Sequence, residues 1–357
     1  MKLSKIIKNF ELFYPKHLAS DWDNVGLQIG DINKDVKTVL TVLEVTEDVI
    51  DEAIEKNVDL IICHHPVIFK SIKNLAYNNS HTNKIVTLIK NDIAVYAAHT
   101  NVDLANNGMN DWLSQVLGIE YTRPLALEKF EEYLHISIEL LNSQINDVID
   151  LLSEIGSGER GDVLQKVTVT PTTSFKEYEK DRKVHDNMCI INAFVLETQI
   201  PVLKRLMKKY NLKHKQSTIF YTATRTENMK KQYGIGRYGS VKPRTLESLA
   251  NDIKKNFDID GVKIVGSRET IISKVAIIGG SGSDYIDNAI AVGADVLVTG
   301  DTGYHQAQHA LENNICLIDA GHHLEIIFND IMRDFVALIC DETVLSSEID
   351  SNPYEVI

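Results

Sequence analysis

Residues 58–66 have the sequence VDLIICHHP, an apolar run that ends in two adjacent histidines and a proline. A short continuous run of aliphatic and β-branched residues predicts a buried strand over Val58–Cys63. Similar runs precede and follow it, and helical patterns lie between them. The other runs are Thr38–Val45 and Ile93–Ala98, and the helical patterns are Glu47–Asn57 and Asn83–Asn91. This alternation predicts an α/β domain whose sheet is covered by helices.

The C-terminal part of the chain resumes the same rhythm. Predicted strands are Lys274–Ile278, Asp295–Thr299 and Ile315–Asp319, and predicted helices are Tyr285–Val292, His305–Glu312 and a last one from His323 toward Cys340. We therefore assign residues 1–125 and 246–357 to one layered, discontinuous α/β core.

Residues 126–245 follow a different pattern and predict an inserted domain. The predicted elements are the strand Tyr133–Leu140, the helix Asn142–Ile155, the strands Val163–Thr170 and Met188–Glu197, the helix Gln199–Tyr210 and the strand Thr218–Thr224. This βαββαβ order is that of a ferredoxin-like unit. Arg123-Pro124 on one side, and the glycine-rich residues 233–239 followed by Pro243 on the other, predict turns at the two domain junctions.

Size and charge limit the classes of protein to consider. A chain of 357 residues with 44% hydrophobic content exceeds what one core usually supports, so we expect two or three domains. The sequence lacks both a signal-peptide pattern and an apolar run long enough to span a bilayer, which predicts a cytoplasmic protein with no membrane partner. A net charge of −13 disfavours a large nucleic-acid surface but allows a local basic patch.

The cysteines are far apart in the sequence, which favours reduced, buried thiols over disulfides or a paired-cysteine metal site. They are Cys63, Cys189, Cys316 and Cys340. Cys63 is distinctive because it precedes the histidine pair.

His64 and His65 follow directly after a predicted buried strand, where ligands collect in α/β sheets. Neighbouring side chains on extended backbone point to opposite sides, so the two imidazoles can serve two metals only where the chain turns, and Pro66 restricts the backbone there. Alone, the pair is equally compatible with surface or core-edge histidines.

Two further strand ends carry the same chemistry. His99 and Asp103 follow Ile93–Ala98, and His322 and Glu325 follow Ile315–Asp319. Asp103 alone could be a helix N-cap, and Glu325 alone a first-turn capping residue. On a helix, however, His322 and Glu325 are three positions apart and share a face, so both can approach one metal cluster.

The recurrence of imidazole and carboxylate at three strand ends predicts a catalytic metal centre. Ligands of this kind suit zinc, manganese or iron(II). Five such ligands suffice for two divalent ions only if a carboxylate bridges them and water completes their coordination, and open positions of that kind are what metal-assisted hydrolysis requires.

These segments together resemble the GTP cyclohydrolase I type 2 homolog family, also called Ngg-one-interacting-factor-three-like. The residues that carry the resemblance are Asp23–Gln28, Cys63–Pro66, His99–Asp103, Gly300–His305 and Gly321–Glu325. The resemblance implies a dinuclear site with His64, His65, Asp103, His322 and Glu325 as ligands and Glu325 as the bridge. It also implies a toroidal homohexamer and a PII-like or CutA-like insert. Where the family commonly shows an Asp-Val-Thr sequence, this chain has Glu44 before Val45 and Thr46, which leaves the role of that carboxylate open.

The function predicted from these residues is metal-dependent hydrolysis, with Glu44, His99 or His305 moving protons. The family name points to opening of a GTP-type ring, at a cyclic amidine C–N bond, and the same chemistry permits phosphoester hydrolysis of a nucleotide. A non-enzymatic metal-binding or regulatory scaffold is the alternative class.

Two glycine-rich stretches were also considered as binding loops. Gly234–Gly239 fits the letters of a dinucleotide fingerprint, but no helix is predicted to open from it, so nicotinamide binding is disfavoured. Ile278–Asp284 joins a strand to a helix and predicts either an anion-binding nest or a tight turn. Asp301, at another strand end, is expected to orient a ligand.

Overall fold

The structure, a computed structural model, describes residues 1–76, 79–155, 167–172, 175–179, 182–186, 188–214 and 219–355. The helices are α1 (Leu3–Phe10), α2 (Glu47–Glu55), α3 (Ser80–Lys90), α4 (Thr100–Leu104), α5 (Met109–Val116), α6 (Ile145–Ser153), α7 (Ile200–Lys213), α8 (Leu246–Asn256), α9 (Ile286–Ala291), α10 (Tyr304–Glu312) and α11 (Phe328–Ile339). The strands are β1 (Gly26–Ile29), β2 (Thr38–Val42), β3 (Leu60–Cys63), β4 (Ala94–Ala97), β5 (Glu120–Leu141), β6 (Thr168–Pro171), β7 (Phe175–Glu179), β8 (Arg182–Asp186), β9 (Met188–Leu196), β10 (Phe220–Thr245), β11 (Lys263–Val265), β12 (Ile271–Ser281), β13 (Val296–Gly300), β14 (Cys316–Asp319) and β15 (Thr343–Ser346).

The chain forms two compact units. The first consists of Met1–Lys129 and Tyr233–Ile357, and the second of Phe130–Gln232. The sequence placed the divisions at residues 125/126 and 245/246. In the structure the units divide at residues 129/130 and 232/233, within the long strands β5 and β10.

The first unit contains two sheets. One has the strand order β1-β4-β3-β2-β15, in which β15, β2, β3 and β4 run parallel. The other has the order β11-β14-β13-β12-β10-β5, in which β12, β13 and β14 run parallel. This is the mixed α/β class predicted from the alternation of strands and helices.

Strand β3 shows why its sequence is apolar throughout. Leu60 and Ile62 pack in one hydrophobic core, whereas Ile61 and Cys63 pack in another on the opposite face of the sheet. A parallel strand covered on both faces needs apolar residues at every position. The cysteines of the chain are all buried and unpaired, as predicted.

Helix α1 buries Leu3, Ile6, Ile7 and Phe10, the spacing that places side chains on one helical face. Phe10 packs edge-on against Tyr96 of β4, with 5.2 Å between ring centroids. The helix thereby covers the sheet that carries the histidine pair.

The second unit has its own hydrophobic core, formed by strands β5 and β9 and helices α6 and α7. Its sheet has the order β10-β5-β9-β6, in which β9 is antiparallel to both β5 and β6. Strands β7 and β8 form a separate antiparallel pair. The predicted strand Val163–Thr170 lies partly outside the described residues.

The predicted junction turns are wrong. Arg123 and Pro124 lie within β5, and the glycine-rich residues 233–239 lie within β10. Strand β10 pairs with β12 from Arg237 to Thr245, with an irregularity between Ser240 and Arg244. Long-range pairing of this kind outweighs the local preference of glycine for turns. Gly236 keeps a left-handed backbone, with φ of 64°, inside the strand.

Across the described part of the chain, no helix has the length and apolar character needed to cross a membrane.

Candidate metal centre

Strand register brings three predicted histidines to one sheet edge. Cys63 at the end of β3 is aligned with Ala97 at the end of β4. Because the two strands are parallel, the residues that follow them, His64, His65 and His99, emerge side by side.

The second sheet contributes residues in the same way. Thr299 of β13 is aligned with Asp319 of β14, so Asp301 and His322 follow two adjacent parallel strands. Gly321, with φ of 78°, turns the chain into a 3-10 helix over His322–Ile327. Residues i and i+3 of such a helix eclipse each other, and Nε2 of His322 lies 3.3 Å from Oε2 of Glu325. The predicted last helix therefore opens as a 3-10 turn and becomes α-helical at Phe328.

All five predicted ligands lie in one cluster. Oε2 of Glu325 is 3.2 Å from Nε2 of His65 and 3.8 Å from Nε2 of His64. Oδ1 of Asp103 is 3.5 Å from Nε2 of His64. We call His64, Asp103 and Glu325 the inner group and His65, His322 and Glu325 the outer group, and in each group the candidate ligand atoms lie within 4.8 Å of one another.

Two atoms of the inner group fit a cation directly. Nε2 of His64 and Oδ1 of Asp103 are buried and lack a hydrogen-bond partner in the structure. Leaving buried polar atoms unpaired costs free energy unless something else binds them. An imidazole nitrogen and a carboxylate oxygen facing the same point are the donors that zinc, manganese and iron(II) accept.

Each imidazole is held by a contact at its Nδ1 atom. Nδ1 of His64 lies 2.8 Å from the carbonyl oxygen of Ala98. The outer imidazoles use carboxylates instead: Glu44 contacts His65 at 2.9 Å, and Asp301 contacts His322 at 2.7 Å. Such contacts direct Nε2 toward the cluster and make it a more basic ligand. Asp301 adopts a left-handed backbone to do so, with φ of 56°.

His99 is oriented in the same way beside the inner group. Its Nδ1 lies 3.0 Å from Oδ1 of Asp23, whose other oxygen accepts hydrogen bonds from the backbone and hydroxyl of Thr100. The His99 ring centroid is 5.2 Å from that of His64 and 5.6 Å from that of His65. Because Asp23 contacts Nδ1 of His99, the Nε2 atom is not engaged by Asp23, and the ring lies close to the other imidazoles.

Burial and close contacts among the carboxylates and imidazoles shift their pKa values. Burial and the neighbouring charge of Glu325 raise the pKa of Asp103 to about 8. Burial works to lower the pKa of His65, but its contacts with Glu325 and Glu44 prevail and raise it to about 10. Contact with Glu325 likewise raises the pKa of His322 to about 9, against the effect of burial. The pKa of Glu325 is low because the three imidazoles outweigh its burial.

Gly279 and Gly280 are required by the close approach of β12 to the cluster. A Cβ atom at Gly279 would lie 2.7 Å from Oε1 of Glu325, and one at Gly280 would lie 3.2 Å from Nε2 of His322. Asn110 fixes this approach, because its amide accepts from the Gly279 backbone and donates to the carbonyl of Asp103. The glycine-rich stretch therefore makes room for Glu325.

The positions of His64, Asp103 and Glu325 differ from those of surface or capping residues. His64 is fully buried, and Asp103 is a buried residue inside α4 rather than the residue before it. Glu325 is also buried and faces the imidazoles. His305 lies on α10 with an exposed side chain, and its ring packs against Tyr304 at 5.6 Å. A role for His305 in proton transfer stays a prediction.

The sequence interpretation missed the positioning groups around Asp103. No sequence pattern singles out Asn110, and Asp23 stands out only as part of the Asp23–Gln28 motif. Arg237, expected in a turn, is buried in β10, where it forms a two-point ion pair with Asp111 of α5 and donates to the carbonyl of Ala105. The available signal in the sequence was a charged residue, Arg237, among the glycines of residues 233–239.

The whole chain is similar to proteins of one family. The family model described as Duf34/NIF3 (NGG1p interacting factor 3) matches residues 1–353. A Bacillus subtilis protein named GTP cyclohydrolase 1 type 2 homolog is 34% identical, with 98% of this chain and 97% of that protein covered. A solved Bacillus cereus protein related to NIF3 is 32% identical, with a TM-score of 0.86 and 99% of each chain covered. The chain therefore belongs to the Duf34/NIF3 family.

Proposed function

We propose that this protein is a dinuclear, metal-dependent hydrolase that acts on a cyclic amidine C–N bond, and the name of its Bacillus subtilis relative, GTP cyclohydrolase 1 type 2 homolog, supports this choice of bond. One observation carries the proposal: Glu325 belongs to both the inner and the outer group, so this shared carboxylate would let the five side chains serve two ions. The unpaired atoms of His64 and Asp103 support the inner position.

His64, Asp103 and Glu325 would hold one divalent ion, and His65, His322 and Glu325 the other. Ions held in this way lower the pKa of water and polarise the bond to be cleaved. The hydrolysis delivers hydroxide to the amidine carbon and a proton to the departing nitrogen.

Protons would be moved by His99 and Glu44, which flank the two groups. Asp23 holds His99 with Nε2 available beside the inner group, and this contact and the Thr100 hydrogen bonds lower the pKa of Asp23 to about 2, against its burial. Glu44 is partly exposed and contacts His65. Both can therefore exchange protons between the cluster and solvent.

The second unit would serve as a regulatory or substrate-access domain. Its order β10-β5-β9-β6, with one helix after β5 and one after β9, supports a ferredoxin-like, PII-like unit carrying the β7–β8 pair as an addition. All five proposed ligands lie in the first unit, so the second supplies no ligand.

Element analysis followed by assays on a nucleotide panel tests this function. We expect close to two zinc, manganese or iron(II) ions per chain, and release of a ring-opened product from a purine nucleotide. Less than one ion per chain after reloading with each metal would contradict the proposal. Phosphate release without ring opening would replace the C–N bond by a phosphoester as the scissile bond.

A further inference from the structure

Resting on the proposed hydrolase, we propose that Trp22 and Phe69 form an aromatic platform that stacks a planar nitrogen heterocycle, such as a purine base, beside the metal centre. The platform would determine which substrates are held near the ions, and it lies outside the ligand set.

The two rings are both exposed and lie next to each other. The Trp22 side chain is 62% exposed and that of Phe69 47%, and their ring centroids are 5.9 Å apart at an interplanar angle of 59°. Large aromatic side chains usually bury most of their surface, and a planar ligand stacked on this neighbouring pair would cover the exposed faces. Two rings provide too little apolar area for a stable protein interface, which needs roughly 800 Å² from each partner. They match the size of a small flat ligand.

Trp22 is attached to the metal centre through its neighbour Asp23. The Asp23 side chain is buried and is fixed by His99 and by Thr100. Trp22 itself packs edge-on against His99, with 6.0 Å between ring centroids and an interplanar angle of 72°. The indole therefore stays exposed while its backbone is held in place.

Phe69 is attached to the same loop by hydrogen bonds of its neighbour Ile68. The Ile68 carbonyl accepts from Asn24 and from Gln28, and the Ile68 backbone N–H donates to the side chain of Gln28 at 2.9 Å. Both rings thus stand on backbone that is tied together, which lowers the entropy cost of holding a ligand between or upon them.

The position of the platform indicates the ligand chemistry. The His99 ring contacts Trp22 and also lies close to two proposed ligands, with centroid distances of 5.2 Å to His64 and 5.6 Å to His65. A flat ring on Trp22 would thus present its edge to an imidazole that can exchange hydrogen bonds with ring nitrogens. Aromatic faces stack on any base, and polar edge contacts add preference.

Binding to the metal-loaded protein tests the platform. The chain has two tryptophans, so in a Trp112→Phe protein the fluorescence reports Trp22 alone. We expect GTP to quench this fluorescence and inorganic triphosphate to leave it unchanged. Iodide should quench Trp22 before ligand is added. Shielding from iodide in the metal-loaded protein would show that another copy of the chain covers the platform, and would overturn the proposal.

Calorimetry on variants separates stacking from general apolar contact. Trp22→Leu and Phe69→Leu should each weaken GTP binding roughly ten-fold to a hundred-fold, whereas Trp22→Tyr should largely restore it. Tyr354→Leu, at a 77% exposed aromatic residue elsewhere, is the matched control and should bind GTP normally. Metal content and triphosphate affinity should stay unchanged in all four variants. Equal losses for GTP and triphosphate, or no loss for GTP, would overturn the platform.

The two proposals fail separately. If no nucleotide is hydrolysed but GTP binding still depends on Trp22, the hydrolase proposal is wrong and the platform stands. If hydrolysis proceeds with an unchanged KM in Trp22→Leu, the platform is wrong and the hydrolase stands.

Discussion

The inner and outer groups share Glu325 but differ in burial and in the contacts of their imidazoles. The His64 side chain is fully buried, whereas that of His322 is 40% exposed. His64 is held by a neutral carbonyl, but His65 and His322 are held by the carboxylates of Glu44 and Asp301. Among the five proposed ligands, the buried polar atoms that lack a hydrogen-bond partner are Nε2 of His64 and Oδ1 of Asp103, and both belong to the inner group.

The two proposed metal positions would therefore have different tasks. The inner position is sealed from solvent, so its ion should be retained and should organise the site. The outer position opens to solvent, so its ion should exchange more readily, and the charge on Glu44 and Asp301 compensates by making its imidazoles better ligands.

Replacing Glu325 with Gln should have the largest effect, because it removes the carboxylate that both groups share. We expect loss of both ions, measured by element analysis after dialysis. His309→Gln is the matched control: His309 contacts Asp287 at 2.7 Å and belongs to neither group. Equal metal retention in the two variants would show that Glu325 is not a shared ligand.

Metal affinity should rise steeply with pH. With pKa values raised to about 10 and 9, His65 and His322 are protonated at pH 7, and Asp103, with a pKa of about 8, is mostly protonated. Ligation needs all three groups deprotonated, so loading both ions at pH 7 should release about three protons per chain. This release corresponds to as much as a thousand-fold gain per pH unit in the overall affinity for the two ions.

Calorimetry in buffers of different ionisation enthalpy measures this proton release directly. The number should fall to about two near pH 8.5, where Asp103 has lost its proton, and Asp103→Asn should release one proton fewer than the unmodified chain at pH 7. Release that stays constant from pH 7 to pH 9.5 would contradict the assignment of these groups as ligands.

Asp301→Asn should weaken only the outer position. Loss of the charge behind His322 is expected to cost about ten-fold to a hundred-fold in affinity for one ion, as for other groups that orient metal-bound imidazoles. Metal release to a coloured chelator should therefore show one accelerated phase and one unchanged phase. Asp287→Asn, which removes the partner of His309, should leave both phases unchanged. Acceleration of both phases would contradict the difference between the positions.

The sequence predicted that these residues cluster because strand ends are local features. An apolar run that stops at a histidine marks a strand end without knowledge of its neighbours, and parallel strands bring such ends together. Contacts between distant segments, in contrast, could not be predicted from the sequence. Nothing adjacent to Asp23 indicates that it holds His99, and nothing adjacent to Asn110 indicates that it holds Gly279.

For the glycine-rich residues 233–239, the local sequence led to a wrong prediction. Local composition favoured a turn, but pairing of β10 with β12 and the buried ion pair of Arg237 with Asp111 impose a strand. Both contacts join residues more than 25 positions apart, and a partner at such a distance is invisible to local patterns. The exposed position of His305 was inaccessible for the same reason, because the residues that flank α10 do not show which face packs.

Removing the second unit should have the smallest effect on metal content. Deletion of residues 130–232, with a short flexible linker between Lys129 and Tyr233, leaves every proposed ligand and every orienting carboxylate in place. Among the described residues, the hydrophobic core of the second unit contains none from the first, and the main cores of the first contain none from the second. Strands β5 and β10 are neighbours, so the cut ends should be easy to join.

We therefore expect the shortened chain to fold, as judged by circular dichroism, and to keep both ions with the same two phases of release. A folded chain that loses the outer ion alone would mean that the second unit shields the exposed position, because the inner group is already buried within the first unit. A folded chain that loses both ions would mean that Glu325 is held in place from outside the first unit, which would contradict the assignment of the complete metal centre to that unit. Retention of both ions with loss of nucleotide hydrolysis would assign substrate access to the second unit.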